Sequence, residues 1–563
     1  MTASWNGIPT KTLTPPKHLR QTRPGNRYNL SNMKRLLSIL AAASILLSAC
    51  ATDTSLWGEY ATPTPLHYIE APIEFPTTPD NLPTDSPTAP TIAPPQPTPT
   101  FTFTPTFLPV SPVAGVTSTP DPANQPILYY AQSGDTLEAV ATRFGVDKNE
   151  ITSPKNLPAS GLIDPDILLF IPKRDFGETT PNHRVLPNAE LVFSASAASF
   201  NTTQFILNAN GHLSQYREYL GSTGWTTGPQ AIERASSENS ISPRVLLALL
   251  EYESRWVYGS PASTLREEYP MGFESKKYKG LFLQMVWSIN QLYEGYYGWR
   301  AGTLTELTFP DGETLRIHPE LNAGTVALQY FFSRQHNRAE WEQILDPNAV
   351  NNFYSLYDQM FGDPWARAQS VEPIFPAGLA QPKMVLPFEA NREWSLTGGP
   401  HGAWEHDGPL AAVDFAPSTD HGGCEETRTW VLSAASGLVV RSEKGVVVVD
   451  LDGDGLEQTG WNLLYLHIAT EDRAAKGTWL SVDARVGHAS CEGGQSTGTH
   501  LHFARKYNGE WIAADGPIPM VLGGWTVHAG AKPYEGTMTR GGLTVIADPV
   551  GQAWSLIFRK PDE

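Results

Sequence analysis

The stretch Ser496–Gly509, STGTHLHFARKYNG, places two imidazoles, His500 and His502, on either side of one leucine in a short apolar run. In an extended strand, residues two apart share a face, so both rings project to one side and Leu501 to the other. A His-x-His pair arises by chance often enough in a chain with 14 His that it decides nothing alone. Its surroundings carry more. From Pro373 onward, short apolar runs such as TWVLSAASGLVVRSEKGVVVVD (429–450) and WNLLYLHI (461–468), punctuated by Gly and Asp, predict an all-β module. Catalytic or metal-binding groups in such a module come from strands far apart in sequence, which directs attention to isolated His and Asp among apolar neighbours.

Three segments meet that description: TGGPHGAWEHDGPLAAVDFAP (397–417), LLYLHIAT (463–470) and STGTHLHFARKYNGEW (496–511). In this order, within residues 383–563, they resemble the M23 family of metallopeptidases, the lysostaphin-like peptidoglycan endopeptidases. The resemblance implies that His401, Asp414 and His502 are ligands of Zn²⁺ and that His467 and His500 are the catalytic pair beside it. Two imidazoles and one carboxylate leave a fourth tetrahedral position for water, whose pKa zinc lowers to about 7. His401 and Asp414 stand thirteen apart, where the commoner pattern has four, so His406 is a rival for the first ligand. The GGPH sequence, with its close backbone approach, favours His401.

Upstream, ILYYAQSGDTLEAVATRFGVDKNEITSPKNLPASGLIDPDILLFIP (127–172) reads as strand, helix, loop, helix, strand. Leu137, Val140, Ala141 and Phe144 recur at helical spacing before Gly145. SGDTL and the closing LLFIP resemble a LysM domain, here 126–174. That resemblance implies a βααβ fold binding N-acetylglucosamine polymers, with Gly134, Asp135 and Thr136 as glycan-binding residues.

Residues 185–370 read as all-helical. Ser242 and Pro243 form a strong helix start, and Leu246, Leu249, Leu250 and Glu253 fall on one stripe. A carboxyl on a dry face is raised in pKa, the property of a general acid in glycosidic cleavage. The segment resembles the lysozyme-like lytic transglycosylases through Glu253 and Ser254 of LEYES, Gln284 of GLFLQM, and NAGTVALQYFF from Asn322. This makes Glu253 a candidate for a second, glycan-cleaving site.

MKRLLSILAAASILLSAC (33–50) joins two basic residues to an apolar run and small residues before a cysteine, and resembles a bacterial lipoprotein signal with Cys50 as the lipidated residue. Met33 is then the expected start. Residues 51–125, rich in Pro and Thr and without helical or strand period, predict a disordered spacer. Of the three cysteines, Cys424 and Cys491 remain, and in an exported chain the pair predicts a disulfide. DLDGDGLEQTGW (450–461) imitates the start of a calcium loop through Asp450, Asp452, Asp454 and Gly455. Trp461, however, occupies the place of the closing Glu, so the stretch reads first as an acidic hairpin turn.

The formal charge of −18 disfavours nucleic acid as a partner, because phosphate contacts require Lys and Arg. The expectation is a multidomain α+β, lipid-anchored, extracytoplasmic cell-wall hydrolase: a zinc endopeptidase acting on peptidoglycan stem peptides and held on glycan by LysM. The alternatives are a muramidase working through Glu253 and a non-catalytic wall-binding regulator.

Overall fold

The strands Ile127–Tyr130 (β1) and Leu168–Ile171 (β2) pair antiparallel, Ile127 opposite Ile171, and enclose a small core of Tyr129, Val140, Phe144 and Leu169 with the helix Leu137–Arg143. The computed structural model describes residues 125–404, 408–419 and 422–561. The Cys50 segment, the Pro/Thr-rich stretch up to residue 124 and His406 lie outside the described residues. The second helix expected of a βααβ unit is only a 3-10 turn, Lys148–Glu150. Thr152 exchanges both backbone hydrogen bonds with Phe170, at 3.1 and 2.8 Å, which draws the chain into the sheet before a second α-turn closes.

Between Asn188 and Ala368 the chain is mainly helical. The helix Pro243–Ser254 begins where the sequence places it, although the Ser242 hydroxyl makes no capping hydrogen bond. Leu281–Ala301 and Ala323–Ser333 pack side by side, closest at Gly295, where a Cβ would lie 2.7 Å from Ala327 Cα. The expectation of an all-helical region is corrected by two hairpins, Arg217–Leu220 (β3) with Gly224–Thr227 (β4) and Glu306–Thr308 (β5) with Thr314–Arg316 (β6). Both turn on glycines at positive φ, Gly224 and Gly312, the turn chemistry that a helical reading passes over. Among the described residues, no helix is long and apolar enough to cross a membrane.

The C-terminal part supplies Glu393–Gly402 (β7), Leu410–Pro417 (β8), Trp430–Leu432 (β9), Gly437–Glu443 (β10), Val446–Asp450 (β11), Trp461–Leu466 (β12), Trp479–Leu480 (β13), Arg485–His488 (β14), Leu501–Tyr507 (β15) and Glu510–Trp511 (β16). It continues with Val521–Leu522 (β17), Trp525–Ala529 (β18), Gly536–Arg540 (β19), Leu543–Ile546 (β20) and Leu556–Phe558 (β21). The main sheet runs β13-β10-β11-β12-β15-β8-β7-β21, with β16 added beside β15, and β17–β20 form a separate antiparallel meander.

Alternation along the central strands decides what each sheet face meets. Val447, Val449, Leu463, Tyr465, Leu501 and Phe503 enter a core shared with the meander. Val446, Val448, Leu464, Leu466 and Ala504 enter the core of the helical region. Strands buried on both faces explain the unbroken apolar runs VVVV and LLYL. His502 follows the parity of Ala504, so the histidine face of β15 is the one turned toward the helices.

The β15–β16 turn, Asn508-Gly509-Glu510-Trp511, locks the two parts together. Asn508 Nδ2 donates to Ile374 O (2.7 Å), Ser240 Oγ to Gly509 O (2.8 Å) and Trp511 Nε1 to Asn239 O (2.9 Å). The buried Glu510 carboxylate accepts from Tyr296 OH (2.7 Å) and Arg300 (2.8 Å), and Arg300 also donates to Ser133 O in the N-terminal unit.

A largely enclosed ion triad joins the sheet strands β10 and β15 to the loop between β11 and β12. Glu457 accepts from Arg441 Nε (2.7 Å) and Lys506 Nζ (2.9 Å). Burial alone would raise its carboxyl, but these two cations hold it down to about 2. A depressed carboxyl contributes stability above its unfolded pKa that is lost as pH falls through the folded value, so this contribution disappears between about pH 4.5 and pH 2. Glu457→Gln is expected to cost about 3–5 kcal/mol at pH 7, because two cations are left buried without their partner. The cost should shrink toward pH 2, and urea unfolding at several pH values measures both.

Candidate metal centre

Asp414 on β8 lies opposite His502 on β15 and opposite Gly398 on β7. A Cβ at Gly398 would come within 2.6 Å of Asp414 Oδ2, and one at Gly399 within 2.5 Å of Glu535 O. Gly398 therefore lets β7 pass close to the carboxylate, and Gly399 lets it pass close to the Glu535 backbone, which brings His401 beside Asp414. His401 Nε2 is 3.0 Å from His502 Nδ1, and each nitrogen is 3.2 Å from Asp414 Oδ1. All three residues are buried.

The hydrogen bonds behind the rings fix which atoms face inward. His401 Nδ1 lies 2.8 Å from Gly399 O and His502 Nε2 lies 2.9 Å from Ala403 O. A carbonyl can only accept, so those nitrogens carry the protons, and His401 Nε2 and His502 Nδ1 present lone pairs. Asp414 Oδ1, deeply buried, makes no well-directed hydrogen bond. Three electron-rich atoms crowded together require a cation between them. Two imidazoles and one carboxylate are a donor set that suits Zn²⁺ and leave a fourth position open. Without a metal, a proton takes that part: the Asp414 carboxylate raises His401 despite burial. The charge of His401, and then of His502, holds Asp414 well below the usual carboxylate range although burial opposes this.

His467 follows β12 directly at φ 65°, a left-handed turn that swings its ring toward His500, centroids 4.4 Å apart. His467 Nδ1 donates to Glu492 O (2.8 Å) and His500 Nδ1 to Gly498 O (2.8 Å), so both Nε2 atoms are free for chemistry. His500 Nε2 is 3.8 Å from Asp414 Oδ1. Burial, reinforced by His500 and His502, pushes His467 down to about 3, and it is neutral at physiological pH. Cys424 and Cys491 form the expected disulfide, which ties the chain next to Glu492 and so steadies the acceptor of His467. Leu501 is fully buried behind the pair, as strand alternation requires.

The centre opens into a cleft of about 2400 Å³ between the sheet and the helical region, with Phe200, Trp225 and Phe282 among the residues opposite it. Tyr534 stacks on His401 at 4.1 Å and 18° between planes. The sequence reading missed it, and the only local signal is its place after Lys-Pro in a turn where Tyr534 N donates to Pro400 O.

Other expected site residues lie elsewhere. Gly134, Asp135 and Thr136, expected from the sequence to bind glycan, are engaged by other residues of the fold. Asp135, 1% exposed, is paired with Arg143 at 2.7 Å and accepts from Tyr129 OH. Thr136 Oγ1 caps the following helix at Ala139 N, and the Arg300 guanidinium covers Gly134. Glu253 has a buried side chain, but the face is not dry: His336 Nε2 lies at 3.2 Å and Arg266 at 3.7 Å. Gln284 holds a loop by donating to Phe273 O (2.8 Å) and Tyr278 O (2.6 Å).

Residues 184–374 match the family model described as LasA, N-terminal domain. Over about half of the chain the similarity is to metallopeptidases, of the LasA-like M23 type. Protease LasA of Pseudomonas aeruginosa is 26% identical over 334 residues, 55% of this chain and 72% of that protein. Beta-lytic metalloendopeptidase of Lysobacter enzymogenes is 25% identical over 170 residues, 30% of this chain and 90% of that protein. Among solved structures, the M23 metalloprotease pseudoalterin is 22% identical, with a TM-score of 0.26 over 32% of this chain and all of that one.

Proposed function

We propose that the protein is a zinc-dependent endopeptidase that hydrolyses stem-peptide cross-links of peptidoglycan. The observation that carries this reading is the convergence of His401 Nε2, His502 Nδ1 and Asp414 Oδ1 within 3.2 Å of one another at the floor of an open cleft. His401, Asp414 and His502 are the ligands, and Zn²⁺ held by them supplies Lewis-acid activation of a water molecule and of the peptide carbonyl. His467, kept neutral with its proton on Nδ1, offers the Nε2 lone pair to a water proton. His500 Nε2, nearer Asp414, is placed to bear a proton toward the carbonyl oxygen as charge develops there.

In this reading the activity lies outside the cytoplasm, and the resemblance of residues 33–50 to a lipoprotein signal supports Cys50 as a lipid attachment point. The N-terminal unit resembles LysM but has its SGDT turn covered, and it serves here as a brace between Arg300 and the rest of the chain. Glu253, held between His336 and Arg266, is assigned a structural role rather than that of a glycan-cleaving acid. Digestion of purified peptidoglycan by the full chain, followed for both free amines and new reducing ends, tests the whole reading. Amine release that a chelator stops, with no reducing ends, is the expected result. Reducing-end release that survives the chelator and is lost in Glu253→Gln would transfer the activity to the helical region.

A further inference from the structure

The loop Leu451–Gly460 joins β11 to β12 at the end of the hairpin remote from His467. Asp450, Asp452 and Asp454 each present a carboxylate oxygen there, all within 4.8 Å of one another. Acidic turns are common, and three carboxylates alone would signify little. The neighbouring strand adds an independent observation. Asn462 lies directly opposite Asp450 on β12, and Leu451 N donates to Trp461 O at 2.9 Å. The 450/462 pair is therefore one of the non-hydrogen-bonded pairs of the ladder, in which same-face side chains approach most closely. Asn462 is fully buried. Its Nδ2 donates outward to Thr459 O (2.8 Å), which leaves Oδ1 on the Asp450 side with no partner.

A buried amide oxygen without a donor is costly unless something electropositive sits before it. No described side chain provides this. Arg441 and Lys506 are both committed to Glu457. Gly455 N and Asp452 N donate to the two oxygens of Asp450 and hold the turn with its carboxylates gathered. Gly460 permits this closure, since a side chain there would collide with the Asp452 carboxylate.

We propose that this loop is a calcium site, with Asp450, Asp452 and Asp454 carboxylates and the Asn462 side-chain oxygen as ligands. An all-oxygen set of hard donors selects Ca²⁺ over zinc. Asn462, one position beyond the place usually held by a closing Glu, supplies the protein oxygen that Trp461 cannot. A bound ion clamps β11 to β12, the strand that ends at His467. With a single neutral closing ligand, the affinity belongs to the weaker extracellular class, on the order of 10⁻⁴ M.

Terbium reports on such a site directly, because Trp479 lies against Gly453 and Trp461 begins β12. The test adds Tb³⁺ to the zinc-loaded full chain in calcium-free buffer, excites tryptophan, and follows displacement by Ca²⁺. Sensitised emission that Ca²⁺ displaces, an affinity at least tenfold weaker in both Asp452→Asn and Asn462→Ala, and a Tm raised by millimolar Ca²⁺ in the parent but not in the variants are expected. Asp452 is exposed, so that variant keeps the fold. Absence of sensitised emission, emission unchanged in both variants, or a parent Tm indifferent to Ca²⁺ would overturn the assignment.

Discussion

Replacing Asp414 by Asn is expected to abolish peptide hydrolysis, with kcat/KM reduced at least about 10³-fold, and to lower bound zinc from one equivalent to nearly none. Asp414 is the only negative charge among the three converging donors, and it lies opposite His502 in the strand register. An amide there keeps the size but removes the charge that draws a divalent ion into a buried site. Metal analysis by mass spectrometry and hydrolysis of purified peptidoglycan check the two halves separately. The arrangement also fixes a pH sign. Asp414 raises His401, so a proton occupies the centre of the metal-free protein below that raised value. Zinc uptake must displace it, and zinc affinity is expected to fall as pH drops through that raised value, with proton release measurable during titration. A Gln or Asn variant that retained stoichiometric zinc and activity would remove Asp414 from the ligand set.

Much of the centre was legible in the sequence because strands impose a period of two. Once 501–507 is a strand, His500 and His502 share a face, and Leu501 must pack behind them. The GGPH approach of β7 was legible for a related reason: only glycine lets backbone pass close to the Asp414 carboxylate. The turn Asn508–Trp511 illustrates what periodicity leaves unsaid. It reads as an ordinary hairpin, yet its four residues form the junction with the helical region, since tertiary partners 134 to 272 positions away leave no local trace. The surroundings of Asp135 are hidden from its local sequence in the same way. A turn rich in Ser, Gly and Asp reads as an exposed binding loop, but Arg143 and Arg300 neutralise and cover it. Glu253 was placed correctly on its helix, but its partners His336 and Arg266 lie on other elements. Tyr534 reaches His401 from a loop more than a hundred residues further along the chain, beyond any spacing argument.

His467→Ala and His500→Ala are each expected to lower kcat by about 10²–10⁴-fold while leaving zinc stoichiometry intact, the signature of groups that move protons rather than hold metal. Both rings donate Nδ1–H to backbone carbonyls, and neither Nε2 is among the three converging donors. The two variants should differ in their pH profiles. His467 is already pushed down to about 3 by burial and by His500 and His502, so it stays neutral throughout the working range. Its removal should depress the whole profile without moving the acid limb between about pH 5 and pH 7. If His467 instead titrated in that limb, the limb would shift or vanish in His467→Ala, and its neutral, lone-pair role would be wrong. The double variant should lose less than the product of the single losses, because proton acceptance at His467 and stabilisation of the developing charge by His500 belong to one transition state. Full additivity would mean that the two imidazoles act in separate steps.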